Sequence, residues 1–119
     1  MSYDISFKVK VEGIDKYVEV GNCNANITYN VREIITHSTG LEWRNCENNG
    51  LCVEVIPYIR KGLDELQTSP DEYKQYESYN GWETVKEVTW FFLDILDAWE
   101  DVCENEDPEI VKVATFWIE

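Results

Sequence analysis

Hydrophobic and polar residues alternate strictly over residues 3–12 of the chain. The apolar members of this alternation are Tyr3, Ile5, Phe7, Val9 and Val11. A period of two residues is typical of a β-strand with one face on the core and the other in water. After a plausible turn at residues 13–15, apolar residues within residues 16–20 fit a second strand. The pattern therefore predicts an antiparallel hairpin at the amino terminus.

The pattern then changes to the helical period. A short helix is predicted over residues 31–38, because Asn30 and Glu33 have the spacing of a capping box and Gly40 stands where a helix would end. Residues 41–50 are mostly polar and are interpreted as a loop.

Two further helices are predicted in the middle of the chain. Apolar residues recur at helical spacing over residues 54–67, where Pro57 is tolerable only if it lies in the first turn. Ser69 and Pro70, followed by Glu72, combine a cap residue, a proline at the first helical position and a capping glutamate. This combination predicts the start of a short helix.

The carboxy-terminal part predicts one long helix and one strand. Residues 82–104 carry an amphipathic pattern longer than any other in the chain, and residues 110–118 are rich in β-branched and aromatic residues. We expect the strand to join the amino-terminal hairpin. The predicted fold is a single α+β domain over residues 1–119, a small antiparallel sheet of the hairpin and the carboxy-terminal strand packed on three to four helices.

The charge of the chain is strongly negative and unevenly distributed. The sequence contains 24 acidic and 10 basic residues, for a formal net charge of -14, and residues 64–119 hold 16 of the acids but 3 of the bases. Such a field disfavours direct binding to nucleic acid or to anionic membranes and favours binding to basic protein surfaces. The alternative is that the charge only keeps a small protein soluble.

Much of this charge falls on one face of the long predicted helix. On a helical wheel with about 100 degrees per residue, six carboxylates share one sector opposite the apolar face. They are Glu83, Glu87, Asp94, Asp97, Asp101 and Glu104. Trp90 lies within the same sector, and we call these seven residues the acidic ridge. The ridge is either a partner-binding surface with Trp90 as its anchor or an ordinary solvated face, with Trp90 covered by the terminal strand or a loop.

Catalytic and metal-binding chemistry is not indicated. The four cysteines lack the paired spacing of a zinc site, and we interpret them as free thiols: Cys23, Cys46, Cys52 and Cys103. His37 is the only histidine, and the chain has no phosphate-binding glycine loop and no nucleophile elbow. We therefore expect no catalytic residues, no metal and no cofactor.

The sequence also contains no apolar run long enough to span a membrane and no pattern of a secretory signal. These features lead us to expect a cytoplasmic protein that does not bind membranes.

Several segments, in this order, resemble a group of small, mostly uncharacterised proteins of bacteriophages and related mobile elements. The resembling pieces are MSYDI at residues 1–5, NITYNV at residues 26–31, residues 62–66 with Pro70 and Tyr73, and NGWET at residues 80–84. The resemblance implies a phage context, in the cytoplasm of the host cell, and carries no catalytic residues with it. Small acidic phage proteins are often inhibitors of host defence, including anti-CRISPR proteins.

Two functional hypotheses follow from these observations. In the first, the chain is an anti-CRISPR-like inhibitor that binds a basic, nucleic-acid-binding host protein, such as an RNA-guided nuclease, and competes with nucleic acid. In the second, it is a non-enzymatic phage accessory or assembly protein whose acidity only confers solubility. Both hypotheses exclude an enzyme.

Overall fold

The computed structural model describes residues 2–77 and 84–119 and shows the predicted α+β class, with one antiparallel sheet and helices packed on it. The strands are β1 (Ser2–Lys10), β2 (Tyr17–Glu19), β3 (Asn26–Thr28), β4 (Glu47–Leu51) and β5 (Thr115–Ile118). The α-helices are α1 (Arg32–Thr39), α2 (Cys52–Thr68), α3 (Pro70–Tyr73), α4 (Val85–Asn105) and α5 (Pro108–Val113). Short 3-10 turns precede α1 at Tyr29–Val31 and follow α3 at Lys74–Tyr76.

The sheet is organised around β1, which confirms the predicted amino-terminal strand and hairpin. Its strand order is β2-β1-β5-β4, and β3 pairs with the first residues of β1. Ile5 N donates to Ala25 O at 3.1 Å and Val20 N donates to Phe7 O at 2.8 Å. Both bonds leave the same edge of β1, since backbone groups of alternate residues point to the same side of a strand. The strands β2 and β3 are therefore two halves of one interrupted edge strand.

Cross-strand pairs separate an inner and an outer face of the sheet. Phe7 pairs with Phe116 and both are buried, whereas the neighbouring pair of Ser6 and Trp117 faces outward and is only partly buried. The ring of Phe7 lies 5.3 Å from that of Trp99 on α4, in edge-on geometry. The inner face of the sheet therefore packs directly on α4.

The prediction of one strand over residues 110–118 was wrong in its first half. Residues Pro108–Val113 form α5, and only Thr115–Ile118 form β5, which pairs with β1 as expected. The Asp107 side chain accepts from Glu109 N at 2.9 Å, and Pro108 occupies the first helical turn. This helix start overrides the strand propensity of the β-branched residues that follow.

The loop predicted over residues 41–50 was also wrong, because its end forms β4. The sequence of β4 is ENNGL, which lacks the β-branched residues that usually mark a strand. The Asn49 side chain closes the preceding turn, accepting from Arg44 N at 2.9 Å and donating to Arg44 O at 2.8 Å. Local side-chain bonding therefore positions this edge strand.

The predicted helices are confirmed, with corrected boundaries. The helix α1 begins at Arg32, one residue later than the capping box predicts, with Val31 as its cap residue and no side-chain capping bond, and Gly40 ends it with a φ of 80°. The helix α3 begins at Pro70 after Ser69, although Ser69 makes no side-chain capping bond. The helix α2 begins at Cys52, so Pro57 lies beyond the first turn, contrary to our expectation. Pro57 and Val53 are both exposed, so water can bond the Val53 carbonyl that the proline leaves without an intrahelical donor.

Close helix packing at Gly62 fixes the position of α4. A Cβ atom at this buried glycine would lie 2.5 Å from Thr39 Cγ2 and 2.9 Å from Phe92 Cε2. Only a residue without a side chain lets α1, α2 and α4 approach this closely. Within residues 2–77 and 84–119, no helix has the length and apolar character needed to cross a membrane.

Candidate partner-binding surface

The helix α4 turns one face to the core and the opposite face to solvent. Its buried residues include Val88, Phe92, Ile95 and Trp99, which recur at helical spacing. Thr84 caps its amino terminus, where Thr84 Oγ1 accepts from Glu87 N at 3.2 Å. Core packing on one side therefore determines which side chains of α4 reach the solvent.

The described members of the acidic ridge all lie on the outward side of α4. Glu87 is half-buried, and the other carboxylates are exposed, namely Asp94, Asp97, Asp101 and Glu104. Trp90 is 55% exposed, so it is covered neither by the terminal strand nor by a loop of the described chain. Glu83 lies outside the described residues. Glu100 on α4 is also exposed, but on the helical wheel it lies outside the sector that contains the ridge carboxylates.

The ridge carboxylates have no basic partners within residues 2–77 and 84–119. The ion pairs in this part of the chain are Lys8–Glu119, Lys10–Asp15, Arg32–Glu42, Arg44–Glu47, Lys74–Asp71 and Lys112–Glu109. All of them join acids that lie outside α4. Like charges three or four residues apart on a helix cost a few tenths of a kcal/mol per pair. The described ridge carboxylates therefore form a negative surface without ion-pair partners in residues 2–77 and 84–119.

A groove runs between α4 and β3 at the amino-terminal end of the ridge. It has a volume of about 330 Å³ and is lined by Asn26, Ile27, Thr28, Glu87, Trp90, Phe91 and Asp94. Ile27 and Phe91 are buried and supply apolar walls, whereas the two carboxylates and the tryptophan are more accessible. We call this feature the Trp90 groove.

The sequence did not predict β3, the strand that forms one wall of the Trp90 groove. The only local signal was the polar–apolar–polar order of residues 26–28, which is too short to identify a strand. The Asn26 amide donates to Ser2 Oγ at 3.1 Å and to Asp4 Oδ1, and these bonds secure β3 against β1. The contact between β3 and α4 is a long-range consequence of the sheet topology.

The exposed ring of Trp90 already contacts one cation of its own helix. Lys86 Nζ lies 4.9 Å from the ring centroid, within the range of a cation–π interaction. Lys86 is not among the described residues that line the Trp90 groove. In the lining of the groove, Trp90 is accompanied by the carboxylates Glu87 and Asp94.

The cysteines are free thiols in the structure. Cys46 and Cys103 are exposed, and Cys52 is fully buried at the start of α2. Burial raises the pKa of Cys52 well above its ordinary value, and burial also raises the pKa of Cys23. A thiol with a raised pKa is mostly protonated at neutral pH and is a poor nucleophile.

Because no disulfide constrains the unfolded chain, a reducing agent should leave the unfolding midpoint nearly unchanged. Urea unfolding followed by circular dichroism, with and without reductant, measures this directly. A large drop of the midpoint on reduction would show that a crosslink holds the fold.

The side chains that could bind a metal ion do not cluster within the part of the chain that the structure describes. Within the described ranges, no group of three or more His, Cys, Asp or Glu residues is arranged to hold a metal ion. His37 is exposed, and its ring stacks on Tyr76 at a centroid distance of 4.2 Å. His37 and Tyr76 therefore form an aromatic pair on the surface.

Comparison with known proteins gives no match to a protein-family model, to a curated protein or to a solved structure. The resemblance to phage proteins stays a prediction. Function is inferred from the geometry and charge of the surface.

Proposed function

We propose that this protein is a non-catalytic inhibitor of the phage type that binds a basic, nucleic-acid-binding host protein through the acidic ridge. The partner that we propose is an anti-CRISPR target, an RNA-guided nuclease or a comparable defence protein, whose nucleic-acid channel the ridge enters. The observation that carries this proposal is a row of exposed carboxylates on α4 without ion-pair partners in the described chain, namely Asp94, Asp97, Asp101 and Glu104.

The dimensions of the ridge support competition with a nucleic-acid strand. From Glu87 to Glu104 the helix rises about 25 Å, at about 1.5 Å per residue. Its five described carboxylates give about one charge per 5 Å along the helix axis. A single strand of B-DNA carries one charge per roughly 3.4 Å, so the two densities agree within a factor of about two.

The length of the ridge also limits what it can block. About 25 Å corresponds to roughly seven nucleotides at about 3.4 Å each. An RNA-guided nuclease holds a heteroduplex of about 20 base pairs in its basic channel. The ridge would therefore occupy a local part of such a channel, and inhibition would depend on covering the part where nucleic acid first binds.

A capture and competition experiment tests this function. The immobilised protein is exposed to nuclease-treated bacterial lysate at physiological salt, and the retained proteins are identified by mass spectrometry. We expect a nucleic-acid-binding protein that is released by added duplex DNA and by increasing salt, because charge dominates the contact. Retained proteins that neither DNA nor salt releases would contradict competition with nucleic acid and would favour the accessory or assembly role.

A further inference from the structure

We infer that the Trp90 groove is a subsite for an arginine side chain of the basic partner. This inference rests on the proposed function and refines it by naming the side chain that the surface recognises. The groove combines an exposed aromatic ring, two carboxylates and apolar walls, which together match the chemistry of a guanidinium group.

The spacing of the groove residues along α4 supports this assignment. Glu87, Trp90 and Asp94 stand at positions i, i+3 and i+7, so they form one stripe with Trp90 between the two carboxylates. The stripe rises about 10 Å from Glu87 to Asp94. A planar guanidinium can stack on the indole and donate hydrogen bonds in its own plane to carboxylates on either side.

The charges around the groove favour a cation from outside the chain. None of the described residues that line the groove is basic. Lys86 on α4 lies 4.9 Å from the Trp90 ring centroid but is not among the described residues that line the groove. An incoming cation therefore meets two carboxylates without displacing a basic residue that lines the groove, and this charge complementarity identifies the occupant as positive.

Arginine fits the groove better than lysine does. A guanidinium is weakly hydrated and stacks on aromatic rings, whereas an ammonium is a compact, strongly hydrated charge that stays closer to water. The apolar walls of Ile27 and Phe91 also suit the alkyl stem of the side chain. The groove volume of about 330 Å³ leaves room for one arginine side chain.

The experiment compares the affinities of short polyarginine and polylysine peptides of equal length for the protein. The peptides are titrated into the protein at physiological salt, and binding is measured by isothermal titration calorimetry. We expect the polyarginine peptide to bind about tenfold more tightly, which corresponds to about 1.4 kcal/mol. Trp90→Ala should abolish this preference while weaker binding of both peptides to the ridge persists. Tyr58→Ala removes another exposed aromatic side chain, from α2, which is 46% exposed, and should leave the preference unchanged.

The possible outcomes separate this inference from the proposed function. Equal affinity of the native protein for both peptides would overturn the arginine subsite but leave the ridge as a surface for basic partners. A preference that persists in Trp90→Ala would also overturn it, because the selectivity would then lie elsewhere. Failure of both peptides to bind would contradict the proposed function itself.

Discussion

Replacement of Trp99 by alanine is expected to lower the free energy of unfolding by about 3–5 kcal/mol. Trp99 is 4% exposed and packs edge-on against Phe7, so its removal leaves a cavity between α4 and the sheet. The whole stability of a small domain is about 5–15 kcal/mol, so this loss leaves the variant marginally stable. Urea unfolding monitored by far-ultraviolet circular dichroism measures the change.

The matched control is Trp90→Ala, the same substitution on the same helix. Trp90 is 55% exposed, so we expect its removal to change the free energy of unfolding by less than about 1 kcal/mol. A comparable loss in both variants would mean that α4 is rotated and that Trp90 belongs to the core. The acidic ridge would then not face the solvent as a unit.

The orientation of α4 was predictable from the sequence because it depends on local periodicity. The apolar stripe of Val88, Phe92, Ile95 and Trp99 places the opposite face in water without knowledge of the rest of the fold. The alternation in β1 was readable for the same reason. Long, regular patterns are therefore the part of this fold that the sequence determines most clearly.

The exposure of Trp90 was not predictable, because it depends on which distant segments cover α4. The sequence left open a covering strand or loop, and the structure shows neither in the described chain. The second wall of the Trp90 groove comes from β3, whose three residues are too few for their pattern to identify a strand. Its position follows from hydrogen bonds to β1, a contact that no local pattern encodes.

The errors at α5 and β4 have a related cause. In each segment, the bonding of one polar side chain decided the local structure against the average propensity of its neighbours. Asp107 caps a helix in a segment rich in β-branched residues, and Asn49 closes a turn before a polar strand. Such bonds depend on geometry that composition does not reveal.

The second large effect is expected for the triple substitution of Asp94, Asp97 and Asp101 by lysine. These carboxylates are exposed and lack ion-pair partners in the described chain, so the fold should be unchanged or slightly more stable. Lysine has a higher helix propensity than aspartate, and the net charge becomes less negative. Binding to a basic partner should weaken at least about 100-fold, or about 2.7 kcal/mol, because attraction becomes repulsion.

A charge-matched control separates location from net charge. Glu12, Glu33 and Asp64 are exposed, lie outside α4 and take part in none of the ion pairs of the described chain. Their replacement by lysine changes the net charge by the same amount as the ridge substitution. If binding depends on the position of the carboxylates on α4, this control should lower the affinity far less than the ridge variant does.

The most direct test is the dissociation constant of the captured nucleic-acid-binding partner for the native protein, the ridge variant and the charge-matched control at physiological salt. If the acidic ridge is the binding surface, the ridge variant should lose at least about 100-fold in affinity while its unfolding midpoint stays unchanged or rises slightly, and the control should lose little affinity. Native affinity in the ridge variant, or equal losses in both variants, would contradict it and would reduce the ridge to a solubilising surface.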